Sequence, residues 1–200
     1  MFETVLTALP AFLGAALALM ATPGPVTLAS AAAGAAWPGR ATGFVLAMSA
    51  GTLTVITLVA LGVTGLLTSV PGAAPVVGAL GAAYVLYLAW KIATAPPIGS
   101  AGAAPPPSLA GAYAMAIANP KAWGAFAALF SGFPLVPGDP VATGVVKVGI
   151  LYFLPPAINL TWMVVGTRLA RAISDPVTGR MVNRVMAVLL VASVAAAFLL

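Results

Sequence analysis

Residues 4–36 read TVLTALPAFLGAALALMATPGPVTLASAAAGAA, an apolar run with no charged side chain, interrupted by Thr22-Pro23-Gly24-Pro25. As one straight helix the run would extend about 50 Å, whereas the hydrocarbon core of a bilayer is about 30 Å thick. Proline removes a backbone donor and clashes with the carbonyl four residues earlier, so two prolines around a glycine break a helix rather than bend it. The segment therefore reads as two half-helices that meet at residues 22–25.

The rest of the chain has the same character. Of its 200 residues 62% are apolar and 6% charged, with a mean hydropathy of +1.13, whereas a soluble domain carries roughly 25% charged residues. Further apolar segments run over 41–70, 73–94, 109–133, 141–166 and 181–200, each long enough for the roughly 20 residues of a helical crossing. None alternates in polarity as the strands of a barrel do. The fold expected is an all-α membrane protein of six transmembrane helices, multi-pass in the inner (plasma) membrane. The first twenty residues lack the basic start of a cleaved signal, carrying Glu3 instead, and are read as a retained first span.

Cysteine and histidine are both absent, which excludes disulfides, thiol chemistry, thiolate or imidazole metal sites and histidine acid/base catalysis. No metal, cofactor or catalytic residue is expected, and the chain is not read as an enzyme. The net charge of +5 is scattered over loops and helix ends rather than gathered in a stripe, so it argues for orientation in a lipid bilayer and against nucleic acid. Arg40 follows the first segment, Lys91 closes the third, and Arg168, Arg171, Arg180 and Arg184 lie between the fifth and sixth, while Glu3 and Asp139 mark the opposite ends. By the positive-inside rule the basic loops are cytoplasmic and both termini lie outside. Two of the three basic loops carry a single charge, so five spans stay open beside six.

The only low-complexity stretch, 95–108, is rich in proline, glycine and small residues and reads as a linker. It divides one transmembrane domain into two three-helix halves, 1–94 and 109–200. With an odd number of spans in each, related halves would be inserted in opposite senses, a 3+3 inverted repeat. Ala41-Thr42-Gly43-Phe44-Val45 resembles Ala142-Thr143-Gly144-Val145-Val146 at the start of each half's second segment.

The first segment of the second half is also broken, at Asn119-Pro120-Lys121. In hydrocarbon, irregular backbone survives only where protein or a wet cavity satisfies it, and paired breaks in matching segments point to a transport site. The half-helix after Pro25 presents N–H groups suited to a carboxylate. The one ending near Thr22 presents carbonyls suited to an ammonium group. Lys121 sits about midway along its segment, where insertion costs about 2.5–3.5 kcal/mol, and with no acidic residue in any span it should face a wet cavity. Trp123 and Phe126 on the same segment would shape the apolar part of the pocket. The substrate-binding residues expected are thus Thr22, Pro23, Gly24, Pro25, Asn119, Pro120, Lys121, Trp123 and Phe126.

Lys147 lies about two turns from the end of its span and is read as snorkelling to the interface. Tyr84, Tyr87, Trp90 and Lys91 read as an interfacial belt, and Gly39, Gly43 and Gly51 as close-packing positions. Thr52, Thr54, Thr57, Asn159, Thr161 and Trp162 either line a path or, for the threonines, bond their own helix.

With these residues in view, the chain resembles the lysine exporter (LysE) superfamily, above all its homoserine/threonine-efflux branch. The likeness is carried by Thr22-Pro23-Gly24-Pro25, by Gly39-Arg40-Ala41-Thr42-Gly43, by residues 81–91, GAAYVLYLAWK, and by Asn119-Pro120-Lys121-Ala122-Trp123. It departs at Val26, where the family usually has Asn or Asp, and at Gly51-Thr52, where the family's glycine ladder with an acidic residue is thinned. The resemblance implies an efflux transporter of amino acids or related metabolites, driven by the proton gradient or by exchange. Since Glu3, Asp139 and Asp175 are the only carboxylates and all lie outside the spans, any proton coupling falls to Lys121, Lys147, a tyrosine or the substrate. The expected partners are the bilayer and a small amino-acid-like substrate, and a homodimer stays open. A membrane-embedded enzyme, a non-transporting scaffold and a channel are the readings set against secondary export.

Overall fold

The computed structural model describes residues 2–62, 73–94, 107–172 and 175–199. Most of the 95–108 linker and the end of the second apolar segment lie outside them. The described residues form helices and turns, with no strand among them. In chain order the helices are α1 (Phe2–Ala21), α2 (Pro25–Ala36), α3 (Thr42–Ala60), α4 (Ala73–Ala93), α5 (Leu109–Ile117), α6 (Pro120–Gly132), α7 (Pro140–Leu151), α8 (Leu154–Ala172) and α9 (Pro176–Leu199).

Both breaks fall at the prolines. α1 passes through the single Pro10 without ending, but at Thr22-Pro23-Gly24 the axis turns by 55° before α2 begins. The second break is shorter, with α5 ending at Ile117 and α6 starting at Pro120. A third interruption, at Tyr152-Phe153, divides the apolar segment 141–166 into α7 and α8, since Pro155 and Pro156 bring no N–H to the ladder, yet the two together remain one stretch long and apolar enough to cross a membrane. Among the described residues, two stretches are long and apolar enough to cross a membrane, Thr42–Ala60 and Pro140–Arg171, and a third if α1 and α2 count as one bent span.

α2 is the centre of the molecule, buried along its whole length. Its sequence, PVTLASAAAGAA, explains why: small side chains let neighbouring backbones come close. α8 packs along it, and α9, α4 and α3 close around it. At the α2–α8 crossing Gly34 faces the Met163 carbonyl and Gly166 faces the Ala31 carbonyl so closely that a Cβ at either would overlap backbone. Thr167 Oγ1 donates to Gly34 O at 3.0 Å across the same contact. α3 meets α5 in a similar way, a Cβ at Gly51 falling 2.5 Å from Tyr113 O and 2.8 Å from Ala116 Cβ. Of the glycines expected to pack closely, Gly51 does so. Gly39 instead holds a turn at φ +76° in open space, and Gly43 makes ordinary contact with Leu109.

Two apolar cores result. One gathers α2 with parts of α3, α4, α5 and α9 around Phe44, Met48, Leu88 and Met115. The other gathers α1, α6, α7 and the C-terminal part of α3 around Phe12, Val55, Ile56, Phe126 and Leu129. Tyr84, Tyr87 and Trp90 form a ladder of rings on α4, with centroids 5.8 and 6.4 Å apart.

Replacing Gly166 by alanine should lower the unfolding free energy by about 1–3 kcal/mol, as overpacking does, whereas Gly144→Ala, with nothing near its Cβ position, should cost nothing measurable. Thermal unfolding of the purified variants checks both.

α9 is capped by Asp175, whose carboxylate accepts from Thr178 N, Thr178 Oγ1 and Val177 N at 2.9, 2.8 and 3.3 Å. The Thr178 backbone N–H first, then its hydroxyl and the Val177 N–H, hold the carboxyl below the ordinary aspartate range. A depressed pKa in the folded state stabilises above the unfolded value and loses that contribution as pH falls through the folded one. The difference in midpoint between the wild type and Asp175→Asn should therefore shrink as pH is lowered from about 6 towards about 3.

Candidate functional site

The two cores meet at Thr52, between Met48 of one and Val55 of the other, and there a cavity of about 60 Å³ opens. Both proline breaks face it. Thr22, Gly24, Val26 and Thr27 come from the first, Asn119, Lys121 and Ala122 from the second, with Phe126 one turn further along α6. The remaining wall is Leu19 and Met20 of α1, Ala125 of α6, Thr52 of α3, and Pro155, Ile158 and Asn159 of α8.

At the first break the backbone is partly satisfied by its own residues. Thr22 donates its hydroxyl to Ala18 O. Gly24 N donates to Thr27 Oγ1 at 2.8 Å, and that hydroxyl returns a bond to Gly24 O at 3.1 Å. Pro25 has no N–H, and the helical ladder starts with Leu28 N on Gly24 O, which leaves Val26 and Thr27 N–H as first-turn donors without an intrahelical acceptor. At the second break Asn119 Oδ1 accepts from Lys121 N at 3.2 Å, an N-cap on α6.

The carbonyls freed at the breaks are taken by two side chains of α6. Lys121 Nζ donates to Thr22 O at 2.7 Å and lies 3.5 Å from Pro23 O, joining residues 99 positions apart. Trp123 Nε1 donates to Ile117 O at 2.7 Å. Lys121 is half-buried and crosses directly over Gly24, whose Cβ position is 2.9 Å from Lys121 Cδ and 3.0 Å from Nζ. A Cβ there would make the flexible end of the lysine shift. Among the described residues no carboxylate lines the cavity, and a backbone carbonyl answers the lysine charge in its place.

Of the nine site residues expected from sequence, Thr22, Gly24, Asn119, Lys121 and Phe126 line this one cavity. Pro23 offers its carbonyl to Lys121, while Pro25 and Pro120 serve as the first residues of α2 and α6. Trp123 does not line the cavity, because its indole turns back onto Ile117. Thr52 and Asn159 reach the wall, and Asn159 Nδ2 donates to Ser49 Oγ at 3.1 Å. Thr54, Thr57 and Thr161 each bond the carbonyl four residues back, and the first two also meet Tyr113 and Tyr152.

Sequence reasoning missed Thr27, although a threonine three residues after the glycine is a capping signal. It also missed Pro155, whose Pro-Pro pair marks the third break. Lys147 needs correction: it does not snorkel but is buried, 1% exposed, with Nζ 2.7 Å from Phe130 O and 5.9 and 5.6 Å from the ring centres of Phe12 and Phe130. The free carbonyls of the last turn of α6 and two aromatic faces replace the water that a snorkelling lysine seeks.

Trp123→Phe deprives Ile117 O of its partner and should cost about 1 kcal/mol of stability, while Trp90→Phe, at a 62% exposed ring, should stay within about 0.5 kcal/mol. Denaturant titration of the two variants compares them.

No protein-family model matches the chain, and neither a curated protein nor a solved structure shows significant similarity to it.

Proposed function

We propose that the chain is a secondary active exporter of amino acids or related small zwitterionic metabolites, working by alternating access across the inner (plasma) membrane. In this reading it spans the bilayer six times as two inverted three-helix halves, with α1–α2 and α5–α6 as the matching broken spans, both termini outside and the basic loops in the cytoplasm. Proton coupling or solute exchange supplies the drive.

The observation that carries the reading is that the two breaks, distant in sequence, border one cavity and are joined there by the Lys121–Thr22 bond. Broken half-helices meeting at a polar cavity between halves are the usual setting of a transported solute. Of the contacts between the halves, α2 on α8, α6 on α3 and α4 on α9 are pairs that an exchange of halves would keep, while α3 packs more heavily on α5 than α8 does on α1. Unpaired N–H groups at the start of α2 and the Lys121 ammonium suit a carboxylate. Thr27, Thr52, Asn119 and Asn159 supply uncharged polar groups, and Phe126, Ile158 and Met20 an apolar wall.

Counterflow in proteoliposomes with a panel of amino acids tests this. Uptake of at least one labelled amino acid against its preloaded counterpart is expected, with Lys121→Ala reducing the rate about tenfold or more, as loss of a charged binding contact does. Undiminished transport by Lys121→Ala would remove that residue from the mechanism, and conductance without counterflow would favour a channel.

A further inference from the structure

We propose that in the empty site Lys121 occupies the place of a solute's own ammonium group, so that a zwitterion binds by exchange. Its ammonium replaces Lys121 Nζ on the Thr22 and Pro23 carbonyls, and its carboxylate takes up the released lysine. The inference rests on the reading of this cavity as a solute site and specifies which solutes fit it.

Thr22 O and Lys121 Nζ are each other's partners at 2.7 Å, and no carboxylate among the described residues of the cavity stands in for either. The lysine stem lies over Gly24, at the entrance to the first turn of α2. Val26 and Thr27 line the cavity beside that stem, and a carboxylate that takes up the lysine ammonium together with their N–H groups draws Nζ off the carbonyls behind it. A solute bearing only a carboxylate then leaves two carbonyls without a donor. A solute bearing only an ammonium displaces the lysine into a cavity that offers no anion. Both outcomes strand a buried polar or charged group, the costly case. A zwitterion satisfies both ends and converts one Lys–carbonyl contact into two charge-assisted ones.

The second break limits the number of ammonium groups. Ile117 O, its counterpart of Thr22 O, is held by the Trp123 indole at 2.7 Å, so of the carbonyls freed at the breaks only those of Thr22 and Pro23 are open to an ammonium. The solute class is therefore a small zwitterion with one ammonium and one carboxylate, and a second ammonium on its side chain finds no freed carbonyl here. The exchange also gives the empty protein a latch between its two broken segments, which the solute opens by replacing it.

Equilibrium binding to the purified full chain in lipid nanodiscs, with labelled alanine and threonine set against propionate and alaninamide, tests the rule. Alanine or threonine is expected to bind, with propionate and alaninamide each weaker by about tenfold or more. In Lys121→Met the carbonyls stand free and the cation is gone, so alaninamide should gain affinity over wild type while alanine loses about tenfold. A lysine with a merely structural role would not produce that gain. Should Lys121→Met fail to fold, the wild-type series decides alone: equal binding of propionate and alanine, or no binding of either zwitterion, overturns the proposal. Binding is read without flux. A chain that follows this charge rule but moves no alanine in counterflow loses the exporter reading and keeps the exchange; one that transports propionate as well as alanine does the reverse.

Discussion

Backbone carbonyls released by proline inside an apolar structure have to find donors, and the arrangement of this molecule follows from where they find them. Thr22 O receives its bond from Lys121 and Ile117 O from Trp123, both on the half-helix that starts at the second break. α6 thus bonds to the ends of both half-helices that stop at the breaks, and it brings the two breaks to the same place. The lysine is held in turn by the carbonyl, since among the described residues no acid is near it. Two groups that would each be expensive in isolation are paired, and the pairing leaves a cavity beside it rather than a filled core.

That cavity depends on a second feature, the smallness of α2. A buried helix in which nine of twelve residues are Ala, Gly, Ser or Val lets α8 approach at Gly34 and Gly166 until backbone touches backbone. Larger residues are relegated to the two flanking cores, one around Met48 and Phe44 and the other around Phe12 and Phe126. Close-packed interiors leave few voids. Here one persists where the two cores abut, because Thr52, Asn119 and Asn159 at the junction are polar and the broken backbone prevents neighbouring helices from closing on it.

Lys147 repeats the same physics beside Phe12 and Phe130. It is a second cation with no acid beside it among the described residues, satisfied by a helix-end carbonyl and two ring faces. Both lysines therefore serve the ends of broken or terminating helices. In a chain with eleven charged side chains, eight basic and three acidic, backbone carbonyl dipoles do the work that carboxylates do elsewhere.

Much of this was legible in the residues. The helical class, the breaks at 22–25 and 119–121, and the oddity of Lys121 all follow from local rules: proline lacks a donor, apolar runs of this length are helical, and a charge in the middle of one needs a partner. Local rules do not say which distant group that partner is. That Lys121 finds Thr22 and not a solvent-facing end, that Trp123 turns away from the cavity to Ile117, that Lys147 is buried, and that Pro155 and Asn159 complete a wall begun at Thr22 are consequences of helices crossing at particular points. Those crossings are set by where a glycine on one helix meets the backbone of another, as Gly34 does at Met163 and Gly166 at Ala31. Such coincidence is a property of three-dimensional packing that no stretch of sequence contains by itself.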